Sequence, residues 1–170
     1  ILEGRLWSET SITARSRGMG IDPTHPVRVG LITRPGEGEQ PGRVVEQLIG
    51  GLRGAERTEI EGVIAILVAE SEFAAFDQRL ARVAARRMPS SPLIAVSDAV
   101  PTIADAAAAL RQARYVLGLM KAGVIDRSVV RADSLDDIGV FGLLYHLWGN
   151  PAVDDFRRDV LGELEAYDER

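Results

Sequence analysis

The residues of this sequence that could do chemistry are few, and the first of them lie in a short polar turn. Ser97 and Asp98 follow an apolar run, and Asp105 lies near the start of an alanine-rich segment. A hydrolytic site built on Ser97 needs a histidine base, and neither His25 nor His146 belongs to a nucleophile motif. We therefore assign no catalytic residue, and keep Ser97 and Asp98 as candidate contacts for a small-molecule ligand.

Three places contain residues that could bind a metal ion, and each has a plainer explanation. The two histidines lack the spacing of a zinc motif. Glu37 and Glu39 lie in a Gly-rich loop that has neither a lysine nor the spacing of a phosphate-binding loop, and such loops are usually solvated. Asp133, Asp136 and Asp137 precede an apolar segment, where they suit the cap and the positive end of a helix. We expect no metal site and no cofactor.

The composition favours a soluble, cytoplasmic domain with no membrane segment. The 170 residues carry a net charge of −5, contain no cysteine and are 46% hydrophobic. Because an acidic surface does not neutralise phosphates, DNA contacts are expected outside this chain. The absence of cysteine fits the cytoplasm. The chain has no initiating Met and ends within a predicted helix, so we expect it to be a fragment of a longer protein.

The elements that position these residues follow from the apolar periodicity. Apolar strands are predicted over residues 27–33, 63–69, 92–97 and 128–132, and a further short strand before the turn at Glu61 and Gly62. Helices are predicted over residues 6–18, 42–53, 71–88 and 102–121, with Ser71 as an N-cap and Gly123 as a C-terminal signal.

Two of these helices carry detailed expectations. In the third helix, cationic side chains are expected to point outward and to suit the helix dipole; they are Arg79, Arg82, Arg86 and Arg87. In the fourth, Thr102 and Asp105 form a T-x-x-D capping arrangement. Its buried stripe is expected to contain Ile103, Ala107, Leu110 and Leu117.

The order of elements is a helix, then β-α-β-β-α-β-α-β, then two helices. A hairpin between helical crossovers is typical of a ferredoxin-like or palm-type α+β fold, here with an antiparallel sheet and helices on one face. We divide the chain into an N-terminal helix and turn (residues 1–25), an α+β domain (26–135) and C-terminal helices (136–170).

The first C-terminal helix is apolar nearly all round its circumference. Phe141, Leu144, Tyr145 and Trp148 lie on one broad face, and other apolar residues occupy the opposite side. A helix of this kind must be covered on both sides. The four residues are therefore candidates for an interface, although the last helix alone could also cover them.

Three stretches then occur in a distinctive succession. In the first, a helix ending in glycine leads through Asp-x-x-x-Pro into the first strand, in the sequence SRGMGIDPTHPVRVGLIT. In the second, a strand leads into a helix, in SDAVPTIADAAAALRQARYVLGLMKAG. In the third, the last strand leads into the apolar helix, in VVRADSLDDIGVFGLLYHL. Over about residues 6–170 this succession resembles the central domain of PucR/CdaR-type bacterial transcription regulators. That domain is called GGDEF-like, because it is distantly similar to diguanylate cyclases.

The resemblance raises the question of cyclase chemistry. An active cyclase holds divalent cations with carboxylates at the end of its first strand and in the hairpin. Here the first strand ends in residues 31–35, Leu-Ile-Thr-Arg-Pro, with no carboxylate. The five hairpin positions correspond to residues 60–64, where the acidic pair is missing and Glu61 lies one position out of register. The resemblance therefore implies a catalytically inactive, degenerate GGDEF-like domain.

Two functions are compatible with these features. The first is a non-catalytic regulatory and dimerisation domain of a transcription regulator. It would form a homodimer, respond to an unknown small-molecule effector and reach DNA only through a helix-turn-helix beyond Arg170. The alternative is a palm domain that retains binding of GTP or a cyclic dinucleotide.

Overall fold

A computed structural model describes residues 18, 20–33, 41–86, 91–134 and 144–145 of the chain. Contacts divide the chain into two compact units, Ile1–Asp133 and Ser134–Arg170. The first unit contains the sheet and its helices. Within the described ranges, no helix combines the length and apolar character needed to cross a bilayer. The helix predicted over residues 6–18 and the two C-terminal helices lie almost wholly outside the described residues.

The order of elements in the first unit confirms the predicted α+β fold. Within its described residues, five strands and three α-helices follow in the expected sequence. They are β1 (Val27–Thr33), α1 (Pro41–Ile49), β2 (Ala55–Ile60), β3 (Val63–Ala69), α2 (Glu70–Ala85), β4 (Ile94–Val96), a 3₁₀ turn (Ile103–Asp105), α3 (Ala106–Lys121) and β5 (Val129–Arg131).

The strands form one sheet in the order β2-β3-β1-β4-β5. β1 is antiparallel to both of its neighbours, and β2 is antiparallel to β3. β5 lies parallel to β4, so the sheet is mixed at one edge rather than antiparallel throughout. The reason is topological. After β4, the chain returns through α3 to the end of the sheet at which β4 began, so β5 runs in the same direction as β4.

Helices cover both faces of the sheet, and not one face as the sequence suggested. On one face Ile32, Ile66 and Ile94 pack against buried residues of α1 and α2. On the other face α3 packs against β1 and β4, where Val29 and Leu31 are fully buried. Strands that are apolar on both faces need cover on both sides; β3 is apolar at every position, and β1 places buried apolar residues on both faces.

The hairpin between β2 and β3 turns at the predicted residues. Glu61 and Gly62 both have positive φ angles, 49° and 78°. A two-residue turn with positive φ at both positions matches the right-handed twist of the flanking strands. The register places Ile60 opposite Val63.

The beginnings of two helices differ from the prediction. α2 begins at Glu70, directly after β3, and Ala69 occupies the N-cap position without a side-chain hydrogen bond. Ser71 is therefore not the cap; instead the Glu70 N–H donates to the carbonyl oxygen of Pro26 at 2.9 Å. A backbone acceptor supplied by a distant part of the fold replaces the local cap.

The start of α3 is also built differently. The Thr102 hydroxyl donates to the Asp105 carboxylate at 2.9 Å, and neither side chain caps a backbone N–H. A 3₁₀ turn therefore leads into the helix. Ile103, Leu110 and Leu117 are buried as expected, but Ala107 is exposed, because the 3₁₀ turn rotates the start of the helix relative to a continuous α-helix. Gly123, with φ of 71°, ends α3 as predicted.

An arginine on β1 joins the sheet to the start of α2. Arg28 donates from Nε and Nη2 to the two oxygens of Glu70, at 2.7 and 3.0 Å. Its guanidinium also lies 4.0 Å from the centre of the Phe73 ring. These hydrogen bonds raise the pKa of Arg28 above its usual value. The planar fork of arginine fits a carboxylate and an aromatic ring in a way that lysine cannot.

We expect Arg28→Lys to lower the free energy of unfolding by about 1–2 kcal/mol, because a single ammonium cannot reproduce the two-point bond to Glu70 or the ring contact. Urea denaturation measures the change. Arg57→Lys, at an exposed position of edge strand β2, is the matched control and should stay within about 0.5 kcal/mol of the parent. Equal effects of the two substitutions would contradict this role of Arg28.

Candidate functional site

The end of β1 and the β2–β3 hairpin meet at one end of the sheet. The register pairs Thr33, the last residue of β1, with Val63, the first residue of β3. The resemblance to diguanylate cyclases implies that an active enzyme would carry metal-binding carboxylates near these two places, so that they could share divalent cations. The fold therefore brings together the two positions of such a site, and their side chains decide what it can do.

At the end of β1, the side chain of Thr33 forms a hydrogen bond to the segment that precedes β4. The Thr33 hydroxyl accepts a hydrogen bond from the Leu93 N–H at 2.9 Å. The Thr33 N–H in turn donates to the Leu93 carbonyl at 3.0 Å. A neutral hydroxyl engaged in this way fixes the chain entering β4, and it is not an anionic ligand for a cation.

At the hairpin position the one carboxylate is paired with a cation of the protein itself. Glu61 Oε2 lies 3.0 Å from Arg114 Nη2 on α3, and the Glu61 side chain is 75% exposed. No group of three or more histidine, cysteine or acidic residues is placed to hold a metal ion in the described part of the chain. The carboxylate at this end of the sheet therefore pairs with α3.

Ser97 and Asp98, the candidate ligand contacts, lie at the end of β4. Ser97 is fully buried; its hydroxyl accepts from the Val29 N–H at 2.9 Å and donates to the Asp98 carbonyl at 2.8 Å. The Asp98 N–H donates to Gln112 Oε1 at 2.8 Å, and Gln112 Nε2 donates to the Asp98 carboxylate. The two side chains thus connect β4 to β1 and α3, and their contact with a ligand stays a prediction.

The histidine and acidic candidates are dispersed. His25 is exposed, and its Nδ1 lies 3.0 Å from Asp22 Oδ2. Hydrogen bonds from the Thr24 N–H and hydroxyl lower the pKa of Asp22. Asp133 pairs with Arg131 at 3.3 Å. The remaining candidates lie outside the described residues: His146, Glu37, Glu39, Asp136 and Asp137.

Two of the four candidate interface residues belong to the described part of the second unit. Leu144 is 41% exposed, and Tyr145 is half-buried. Phe141 and Trp148 lie outside the described residues.

One arginine has a role that the sequence did not predict. Arg79 was expected to point outward, yet it is half-buried and donates to the carbonyls of Leu48 and Gly50. The sequence did contain a signal, because Arg79, Arg82 and Arg86 have the spacing of one helix face. Their position beside α1 depends on the packing of the two helices.

These residues belong to an α+β domain with one five-stranded sheet, in which Thr33 bonds to Leu93 and Glu61 pairs with Arg114. The profile of the GGDEF-like domain family matches residues 3–119, which is well over half of the chain, and the chain belongs to that family. No curated protein and no solved structure matches the chain. The family match ends before the predicted C-terminal helices.

We expect Thr33→Val to destabilise the domain by about 1 kcal/mol, because the Leu93 N–H loses its side-chain acceptor. Thr33→Ser keeps the hydroxyl and is the matched control, with a smaller loss expected. Chemical denaturation of the three proteins measures the difference. If the Thr33→Val variant had the same free energy of unfolding as the parent chain, the structural role assigned to this hydroxyl would be contradicted.

Proposed function

We propose that this chain is a non-catalytic regulatory domain of a bacterial transcription regulator of the PucR/CdaR type. The observation that carries the proposal is the end of β1, where residues 31–35 contain no carboxylate and the Thr33 hydroxyl accepts a hydrogen bond from the Leu93 N–H. A GGDEF-like fold with this substitution keeps its scaffold and lacks a central element of the cyclase reaction.

The net charge of −5 supports an indirect route to DNA. A surface that binds DNA directly needs a basic face that releases counterions. In the proposed regulator, a helix-turn-helix beyond Arg170 reads the operator, and this domain passes on the signal of a small-molecule effector. Such a protein would act in the cytoplasm.

The absence of catalysis is tested with GTP and Mg²⁺. We expect no cyclic dinucleotide by chromatography, and no Mg²⁺-dependent rise in melting temperature that prefers GTP over ATP. An active diguanylate cyclase assayed in parallel is the positive control. Turnover of GTP, or a guanine-specific stabilisation, would contradict the proposal and favour the alternative of a nucleotide-binding palm domain.

Dimerisation is the second part of the proposal, and it is assigned to the apolar helix around Leu144. The candidate interface residues Phe141, Leu144, Tyr145 and Trp148 have the spacing of one helix face. Leu144 and Val124 are the large hydrophobic residues with the highest exposure in the described part of the chain, at 41% and 46%. They provide a matched pair, since only Leu144 lies on the proposed interface.

We expect the chain to sediment as a dimer and Leu144→Glu to weaken the dimer by at least about tenfold, because a charge would then be desolvated in an apolar interface. Val124→Glu makes the same chemical change in the first unit and should leave the dimer intact. Analytical ultracentrifugation over a range of concentrations distinguishes them. A monomeric parent chain, or equal effects of the two substitutions, would overturn this assignment.

A further inference from the structure

A cavity of about 280 Å³ opens between α1 and α2, and arginines provide most of its polar lining. The lining residues are Gln47 from α1 and Arg79, Arg82, Val83 and Arg86 from α2. Positions i, i+3 and i+7 lie on one face of a helix, which is why three arginines line one cavity.

Arg79 is fixed at the end of α1. Its Nη1 donates to the carbonyl oxygens of Leu48 at 3.1 Å and Gly50 at 2.8 Å. The C-terminal end of a helix carries a partial negative charge that would repel an anion. Because Arg79 offsets this charge and is held in place, one wall of the cavity is positive and ordered before any ligand binds.

Arg82 and Arg86 provide the cations that are accessible. Both are exposed, and among the described residues neither side chain takes part in an ion pair or hydrogen bond. Like charges four residues apart on a helix repel one another. Cations near the C-terminal end of α2 interact favourably with the helix dipole. The dipole does not explain the cavity, or the presence of Gln47 from α1 on the other side of the cavity.

We propose that this α1–α2 cavity binds a small anion carrying two or more phosphate groups. Guanidinium groups form two-point hydrogen bonds with phosphate oxygens, and two such groups are accessible here. The volume of about 280 Å³ is slightly below that of small-molecule pockets, which begin at about 300 Å³, so it suits a compact polyphosphate group better than a nucleic-acid strand. The proposed anion site rests on residues of α1 and α2, and it does not depend on the proposed regulatory role.

The test is calorimetric titration of the full chain with sodium pyrophosphate at constant ionic strength and without divalent cations. We expect saturable binding, and at least about tenfold weaker binding by the double variant Arg82→Gln/Arg86→Gln. The matched control is Arg57→Gln/Arg111→Gln, which also removes two exposed positive charges, both away from the cavity. The control should bind like the parent chain.

Thermal denaturation without ligand shows that each variant is folded. The absence of saturable binding by the parent chain would overturn the proposal, as would equal weakening in both double variants. Preferential binding of duplex DNA, lost in the cavity variant, would assign these arginines to a nucleic acid instead. Because pyrophosphate lacks a guanine base and the titration contains no Mg²⁺, this result is independent of the GTP assay.

Discussion

The burial of β1 is the constraint on which the rest of this domain depends. The strand is hydrogen-bonded along both edges, to β3 and β4, and Val29 and Ile32 show that it is buried on both faces. A strand in this position needs apolar residues throughout and helices above and below. β1 departs from this pattern at Arg28 and Thr33, whose side chains bond to Glu70 and Leu93, and at Gly30, where an added Cβ would lie in ordinary contact with Phe76 of α2 at 3.6 Å. The packing of α1, α2 and α3 follows from this demand.

The same strand also fixes the geometry at one end of the sheet. The end of β1 lies beside the hairpin whatever side chains are present, because the strand register places Thr33 next to Val63. In this chain the side chains at that end serve the structure: Thr33 binds Leu93, and Glu61 pairs with Arg114. Both side chains are therefore engaged in contacts within the domain.

Several features were predictable because their causes are local. The turn at Glu61 and Gly62 and the glycine that ends α3 depend on short-range backbone geometry. The start of α2 was predicted wrongly, because the acceptor for the Glu70 N–H is Pro26, far away in the sequence. The roles of Ser97 and Arg79 were missed for the same reason, since their partners lie on other elements.

The sequence by itself determined three things: the succession of strands and helices along the chain, the resemblance to the GGDEF-like family, and the lack of carboxylates at the end of β1. These properties depend on residue types and on periodicity along the chain. Tertiary structure alone decided the parallel pairing of β5, the helices on both faces, and the cavity where Gln47 and Arg82 meet. The physical reason is that such features arise between elements distant in the sequence, and local patterns do not record which elements will pack together.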